Sequence, residues 1–305
     1  MTVAISADGI RKRYGDVQAV DGVSLTVETG EFYGLLGPNG AGKTTTLEIL
    51  EGIREPDEGR VQLLGLTPWP RNKKLLPRIG VQFQGSAFFD KLTARETIRT
   101  FASFYGVGPR RADAMLERVG LTDSAGVFTD KMSGGQAQRL SIACALAHDP
   151  ELVFLDEPTT GLDPQARRNL WDLLRDINAE GRTVVLTTHY LDEAEILCDR
   201  VSVMDHGQVL RTGAPAALVR ELDDTVRVSV ESGVLTVERA RELLTAAGAE
   251  IAALDDDGVS LSVSTHAPAP VLSVLAEQNA LRGLQVRGAT LEDVFLHLTG
   301  REYRA

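Results

Sequence analysis

The segment that most constrains the fold is a glycine-rich stretch near the N-terminus, Gly37-Pro38-Asn39-Gly40-Ala41-Gly42-Lys43-Thr44. It follows a predicted strand (residues 31–36) and opens a predicted helix (residues 45–50), which is the context that a phosphate-binding loop requires. Glycines let backbone N–H groups converge on phosphate oxygens, and the helix N-terminus adds partial positive charge. Lys43 supplies a mobile charge for β- and γ-phosphates, and the Thr44 hydroxyl can ligate Mg²⁺. These eight residues and the adjacent Thr45 are predicted to bind the nucleotide.

An apolar strand that ends in two acids adds to this prediction. Residues 152–155 form a continuous apolar run, and Asp156 and Glu157 follow it. Such a run is typical of a strand buried on both faces of a parallel sheet, where ligands bind at the carboxyl edge. Asp156 is therefore predicted to hold Mg²⁺ through its water shell, and Glu157 to polarise an attacking water molecule.

Predicted strands and helices alternate through about residue 215, which favours an α/β fold with a mostly parallel sheet. Between residues 88 and 147 the pattern turns helical and predicts an inserted helical subdomain. We expect one domain over residues 1–220 and a small α+β domain over residues 224–305. The second domain has the order strand, helix, strand, strand, helix, strand, which predicts a ferredoxin-like unit before a last helix. Its predicted elements are residues 226–230, 237–247, 250–254, 259–263, 271–277, 284–286 and 291–298.

Composition excludes several classes of protein. The 305 residues carry a net charge of −11, which argues against a surface that coats nucleic acid. No run approaches the roughly 20 apolar residues of a membrane helix, and no signal peptide is visible. The two cysteines cannot build a disulfide framework, and we expect both to be reduced and buried.

The segment Met132-Ser133-Gly134-Gly135-Gln136 is followed by Ala137-Gln138-Arg139 and a predicted helix. Together with the phosphate loop and the acidic strand end, it makes the chain resemble the ATP-binding subunit of an ABC transporter. Met132 stands where leucine is usual in the family's signature, so an apolar side chain is retained. A serine and two glycines at a helix start form a second anion-binding terminus, which is able to face a γ-phosphate.

Further elements resemble the family in the expected order. Gln84 matches the glutamine of the Q-loop, with Gln82 a less favoured candidate, and Gly161-Leu162-Asp163 matches the D-loop. His189 matches the switch histidine, and Tyr14 the aromatic residue that stacks on adenine. The resemblance implies ATP and Mg²⁺ as cofactors. The implied catalytic residues are Glu157, His189 and Gln84; the implied metal-binding residues are Thr44, Gln84 and Asp156; the implied nucleotide contacts outside the phosphate loop are Tyr14, Ser133, Gly134, Gly135, Gln136 and Asp163.

The resemblance covers about residues 3–220 and implies an assembly. Two cassettes of this chain would pair head-to-tail, with ATP between the phosphate loop of one and the Ser133 segment of the other. A separate membrane subunit would contact the helical insert, which places the chain at the cytoplasmic face of the cell membrane. Residues 289–300 and 191–195 are similar to cassettes of the daunorubicin and doxorubicin resistance type. The implied function is the ATPase of an exporter of drugs or antibiotic-like compounds.

Three alternatives remain beside export. An importer cassette has the same mechanism and also carries small C-terminal domains. A DNA-maintenance ATPase needs a long coiled coil before the signature, but only 88 residues separate Thr44 from Ser133 and they show no sustained heptads. A translation-type protein resembles two fused cassettes, whereas this sequence contains one cassette. The sequence of this chain does not identify the transported substrate, because the membrane subunit would bind it.

Overall fold

The structure of the protein is a computed structural model that describes residues 2–82, 88–89, 91–222 and 225–300. The chain divides into two compact units, the first ending at Pro215 and the second beginning at Ala216. Among the described residues, no helix combines the length and the apolar character needed to cross a membrane.

The first unit contains nine strands and six α-helices among its described residues. In chain order they are β1 (Val3–Tyr14), β2 (Val17–Glu28), β3 (Phe32–Leu36), α1 (Lys43–Leu50), β4 (Glu58–Leu63), β5 (Ile79–Gln82), α2 (Ala94–Phe104), α3 (Pro109–Arg118), α4 (Gly134–Leu146), β6 (Leu152–Asp156), α5 (Pro164–Ala179), β7 (Thr183–Thr188), α6 (Leu191–Leu197), β8 (Arg200–Asp205) and β9 (Gln208–Gly213).

A six-stranded sheet in the order β5-β6-β7-β3-β8-β9 forms the centre of this unit. The first five strands run parallel, and β9 pairs antiparallel with β8 at one edge. Every residue of β3, β6 and β7 is buried, as expected for apolar strands that are covered on both faces. The predicted α/β class with a mostly parallel sheet is confirmed.

A second, antiparallel sheet has the order β2-β1-β4. Its first two strands, at the N-terminal end of the chain, are not predicted from the sequence. Residues 60–64 are predicted as a strand of the strand–helix alternation, but β4 pairs with β1 instead of joining the parallel sheet. Charged residues such as Arg11, Lys12 and Arg13 interrupt the apolar pattern of β1. Its alternation therefore shows only where Ile5, Ala7 and Ile10 enter the core, and the strand is hard to recognise from sequence.

The helical insert consists of α2, α3 and α4, which pack against one another. A capping box at Thr93 starts α2, and a second one at Ser133 starts α4. Ile98, Leu116 and Leu140 lie on the buried faces of the three helices. Side-chain caps therefore fix the first residues of α2 and α4, whereas α3 begins at Pro109 without a capping side chain.

The second unit contains α7 (Pro215–Leu222), β10 (Val226–Glu231), α8 (Val237–Ala246), β11 (Ala253–Asp256), β12 (Ser260–Thr265), α9 (Pro268–Glu277), β13 (Gln285–Gly288) and α10 (Leu291–Thr299). Its antiparallel sheet has the order β11-β12-β10-β13. The inward residues of β10 and β12 meet the apolar faces of α8 and α9 in one core cluster. β11 begins three residues later than expected, because Ala249 and Ile251 pack against this core from a loop.

We expect the chain truncated after Pro215 to fold by itself. The buried cluster below the central sheet draws only on residues between Ala4 and Met204, and compact units of this size usually fold alone. Both tryptophans, Trp69 and Trp171, lie in the first unit, so their fluorescence reports on it selectively. Urea unfolding should show a cooperative transition within about 1 M of the full-length midpoint. A truncated chain without a cooperative transition would refute the division.

Candidate functional site

The phosphate loop connects β3 to α1, and close packing explains two of its glycines. A Cβ atom on Gly37 would lie 2.3 Å from the Met204 carbonyl oxygen, and one on Gly42 would lie 2.2 Å from the Ala19 carbonyl oxygen. Gly40 has a φ of +83° and nothing within 4 Å of its Cβ position. The first two glycines let the loop pack against β8 and β2, and Gly40 gives it a left-handed turn that faces open space.

Lys43 is buried and its ammonium group is surrounded by oxygen atoms. Its Nζ donates to the carbonyl oxygens of Gly37 at 2.7 Å and Pro38 at 3.2 Å, and lies 3.3 Å from Oε1 of Glu157. Burial lowers the pKa of Lys43, and the charge of Glu157 opposes that shift. The lysine is thus held within the curve of the loop, where phosphate oxygens would meet it.

Asp156 ends β6 and lies beside the first residues of α1. Its Oδ1 accepts hydrogen bonds from the Thr44 hydroxyl at 3.2 Å and from the Thr187 hydroxyl. Burial raises the pKa of Asp156, while these two hydroxyls and Lys43 favour the ionised form. A carboxylate and a threonine hydroxyl side by side are hard oxygen donors, so they fit Mg²⁺.

Glu157 lies between Lys43 and His189 with little exposure to solvent. Its Oε2 is 3.1 Å from Nδ1 of His189 and accepts a hydrogen bond from the Thr160 hydroxyl at 3.1 Å. Burial raises the pKa of Glu157, but Lys43 and His189 outweigh it and the net pKa is lowered. Glu157 is therefore an anion at neutral pH, which is the form that accepts a proton.

The backbone at Glu157 is unusual. Its φ is +47°, a region that residues other than glycine seldom adopt, and its N–H donates to Oγ1 of Thr187 at 3.0 Å. Thr187 therefore holds both acids, since its hydroxyl donates to Asp156 and accepts from Glu157. Strained backbone held by surrounding structure clusters at functional sites.

A cleft of about 580 Å³ lies over the loop and collects most of the predicted nucleotide contacts. Tyr14 forms part of its wall, and the Arg54 guanidinium group lies 5.2 Å from the centre of the tyrosine ring. The predicted residues that line the cleft are Tyr14, Pro38, Asn39, Gly40, Gly42, Lys43, Thr44, Thr45 and Glu157. Ala41 is buried below the loop and donates its N–H to the Pro38 carbonyl oxygen.

Sequence reasoning missed part of this wall. Val17, Gln18, Ala19 and His206 also line the cleft. The first three follow the turn after Tyr14, so a recognised hairpin of β1 and β2 would have pointed to them. His206 comes from the turn between β8 and β9, and no local motif marks it.

Other predicted contacts lie elsewhere in the first unit. The Ser133 hydroxyl accepts from the backbone N–H of Gln136 at 3.3 Å, and the Gln136 side chain accepts from the backbone N–H of Ser133 at 2.9 Å. The Asp163 carboxylate caps α5. The described residues that line the cleft include neither Asp163 nor any of residues 133–136. Gln84 lies outside the described residues, and the alternative Gln82 is buried in β5.

Comparisons with known proteins agree with this geometry. The family model described as ABC transporter matches residues 20–160. The chain is 40% identical to the Nod factor export ATP-binding protein I of Sinorhizobium fredii, over 99% of this chain and 88% of the relative. It is 42% identical to the protein of the same name from Burkholderia pseudomallei, over 99% of both chains.

Solved structures show the same fold. A dimeric ATP-binding cassette in a post-hydrolysis state with ADP and Pi bound is 29% identical, with a TM-score of 0.64 over 69% of this chain and 98% of that one. The protein cbiO1 from Clostridium perfringens, part of an ABC transporter complex, is 28% identical with a TM-score of 0.64 over 73% of this chain and 95% of that one. The chain belongs to the ABC transporter family, as an ATP-binding subunit whose ATPase activity is coupled to transport.

Proposed function

We propose that this chain powers export through a separate membrane subunit by hydrolysing ATP at the cleft over the phosphate loop. The observation that carries the proposal is the position of Glu157, ionised and held between Lys43 and His189 at the carboxyl edge of the sheet. A carboxylate in this place is suited to take a proton from water beside a phosphate held by the loop.

Different residues of the cleft are suited to bind different parts of ATP. Tyr14 offers a half-exposed ring for the adenine to stack on, and the loop N–H groups and Lys43 hold the phosphates. Thr44 and Asp156 would hold Mg²⁺, with Gln84 as a further ligand. The ion supplies charge neutralisation for the phosphates when bound.

Hydrolysis requires a base that is ionised and correctly placed. Glu157 accepts the proton of the attacking water, and His189 beside it steadies the carboxylate through Nδ1. The Nζ of Lys43 contacts the Glu157 carboxylate and the Gly37 carbonyl oxygen, so a bound phosphate would share this ammonium group with Glu157. Phosphate binding and the orientation of the base are therefore linked through one ammonium group.

A second copy of the chain would complete the site. The Ser133 segment forms the N-terminus of α4. It is not among the described residues that line the cleft of its own chain. A helix N-terminus with an exposed serine and two glycines attracts an anion. The solved relative with ADP and Pi is dimeric, which supports head-to-tail pairing with Asp163 and residues 133–136 facing the partner's nucleotide.

Export is favoured over import by the names of the relatives. Curated relatives at 39–42% identity are named Nod factor export ATP-binding protein I. The similarity of residues 289–300 to drug-resistance cassettes points to a drug or antibiotic-like compound, and the relatives' name points to a Nod factor. Both substrates would be bound by the membrane subunit, so this chain supplies the energy for either.

The membrane subunit is proposed to dock on an aromatic groove at the helical insert, which Trp69 from the preceding segment completes. We define this groove by Trp69, Phe89, Phe101, Phe104 and Tyr105. The ring of Phe101 lies 6.2 Å from that of Phe89 and 5.9 Å from that of Phe104, beside a cavity of about 500 Å³. Phe104 is 65% exposed and Phe89 is 51% exposed. Clustered exposed aromatic side chains are typical of protein interfaces, and this one would hold the chain at the cytoplasmic face of the membrane.

Lys43→Ala should weaken ATP binding about 10- to 100-fold and abolish hydrolysis, because a hydrogen bond to a charged group contributes about 1.5–3 kcal/mol. Equilibrium binding of a labelled ATP analogue measures the effect. Lys74→Ala, at an exposed lysine outside the cleft, is the control and should bind as the wild type does. Wild-type affinity of the Lys43→Ala variant would refute the assignment.

Glu157→Gln should keep ATP binding but lower turnover about 10²- to 10⁴-fold, since the amide preserves size and removes the base.

In inside-out vesicles that also contain the membrane subunit, the wild type should drive ATP-dependent uptake of a labelled drug, and Glu157→Gln should not. Uptake only into right-side-out vesicles would contradict export. A near-normal hydrolysis rate in Glu157→Gln would show that another group is the base.

Phe104→Ser should release the membrane subunit while leaving ATP affinity unchanged, because the side chain is exposed and lies outside the cleft. Loss of one aromatic anchor costs about 2 kcal/mol at an interface, so affinity for the membrane subunit should fall about 30-fold in co-purification. Leu210→Ser, at an exposed apolar position of β9, serves as the matched control. Equal recovery of the membrane subunit with both variants would place the docking surface elsewhere.

A further inference from the structure

The hydroxyl group of Thr187 lies between the two acids of the site and has no part in the function proposed above. Thr187 is in β7, and none of its surface is exposed to solvent. Parallel pairing places it opposite Asp156 of β6. Burying a hydroxyl group costs free energy unless the group finds hydrogen-bond partners, so the partners of Thr187 decide what it does here.

This hydroxyl group makes two hydrogen bonds, and each one reaches a different acid. It donates to Oδ1 of Asp156, and it accepts the backbone N–H of Glu157 at 3.0 Å. A threonine hydroxyl has one proton to donate, so the two bonds together fix its orientation. One side chain thus connects the proposed metal ligand to the backbone of the proposed base.

The bond to Asp156 orients the carboxylate. The Thr44 hydroxyl donates to the same oxygen atom at 3.2 Å, so the hydrogen bonds from both threonines end on Oδ1 and leave Oδ2 for a metal-bound water molecule. Groups that hydrogen-bond to a metal ligand fix its direction and strengthen metal binding. Thr187 is therefore placed to act on Mg²⁺ binding without touching the ion.

The bond from Glu157 supports a strained backbone. The φ of Glu157 is +47°, a value that residues other than glycine adopt only where surrounding contacts hold them. Its N–H faces two acceptors of Thr187, the hydroxyl oxygen at 3.0 Å and the carbonyl oxygen at 3.2 Å. Removing the hydroxyl group leaves the carbonyl acceptor, so we expect the backbone at Glu157 to loosen while the strand stays intact.

We propose that Thr187 is a positioning residue, whose hydroxyl group couples Mg²⁺ binding at Asp156 to the placement of Glu157 for ATP hydrolysis. The inference rests on the roles proposed for these two acids. Thr187 is not among the described residues that line the cleft, so it acts through the acids and leaves the nucleotide to the phosphate loop. Valine is branched at Cβ like threonine and also suits a buried strand, so packing alone does not require a hydroxyl group here.

The first measurement compares metal binding by Thr187→Val and the wild type, in full-length protein with a non-hydrolysable ATP analogue bound. Mn²⁺ serves as the probe, because it takes the same oxygen ligands as Mg²⁺ and its free concentration is measured by electron paramagnetic resonance. The Kd for Mn²⁺ should rise about tenfold, since loss of a group that orients a metal ligand has effects of this size. Affinity for the analogue in EDTA should stay within about twofold, because the phosphate loop is untouched.

The second measurement is kcat for ATP hydrolysis at saturating ATP and Mg²⁺, where the metal is bound in both proteins. The kcat of Thr187→Val should still fall about tenfold or more, because small misplacements of reacting groups have effects of this size. Thr187→Ser keeps a hydroxyl group with the same donor and acceptor, so it should restore both quantities to within roughly threefold of the wild type.

Thr183→Val is the matched control, because it makes the same change in the same strand. Thr183 is also fully buried, and its hydroxyl group accepts the backbone N–H of Gly30 at 2.9 Å, at the opposite end of β7. This variant should lower the midpoint of urea unfolding about as much as Thr187→Val does, with Mn²⁺ binding and kcat unchanged. Thr187→Ala also removes the hydroxyl group and carries the test if the valine variant does not fold.

Loss of both Mn²⁺ affinity and kcat in Thr187→Val, with recovery in Thr187→Ser, would support the proposal. Loss of neither quantity, or of one alone, would refute the coupling. Equal losses in Thr183→Val would also refute it, because they would trace to stability and not to the acids. Glu157→Gln is measured in parallel: normal turnover there would refute the proposed base, whereas wild-type behaviour of Thr187→Val would refute this inference alone.

Discussion

The register of three parallel strands is the constraint on which the site depends. Leu36 at the end of β3 lies opposite Thr188 of β7, and Asp156 at the end of β6 lies opposite Thr187. This alignment brings the phosphate loop, the two acids and His189 to one edge of the sheet. A shift of one residue in a strand would turn its terminal side chains to the opposite face. The completely buried β3, β6 and β7 make such a shift costly, because their apolar residues are fixed on both sides.

Electrostatic pairing at this edge follows from burial. Lys43 and Glu157 are both removed from solvent, where an isolated charge would be strongly destabilising. Each lies against partners of opposite charge or against hydrogen-bonding groups, so the ionised pair persists. Such a pair contributes little net stability compared with apolar packing. Its presence in the interior fits the phosphate binding and proton transfer that we propose for these two residues.

Local motifs allowed most of the loop site to be predicted from sequence. Gly37–Thr44 and the acids after residues 152–155 are each recognisable from neighbouring residues, and strand order places them together. The hairpin of β1 and β2 was missed because charged residues mask its alternation, and with it Val17 and Gln18 in the cleft wall. Residues 191–195 resemble drug-resistance cassettes, but that resemblance gives no sign that Glu193 is buried. Its burial depends on Trp171, which is 22 residues away in sequence, and no local pattern records such a contact.

A structure determined with Mg²⁺ and a non-hydrolysable ATP analogue tests the central claim most directly. The account predicts that the γ-phosphate lies against Lys43 of one copy and the Ser133 segment of a second copy, with Tyr14 on the adenine. It also predicts that Thr44 and Asp156 lie at the metal. Nucleotide bound away from the phosphate loop, or fully enclosed by one copy alone, would contradict it.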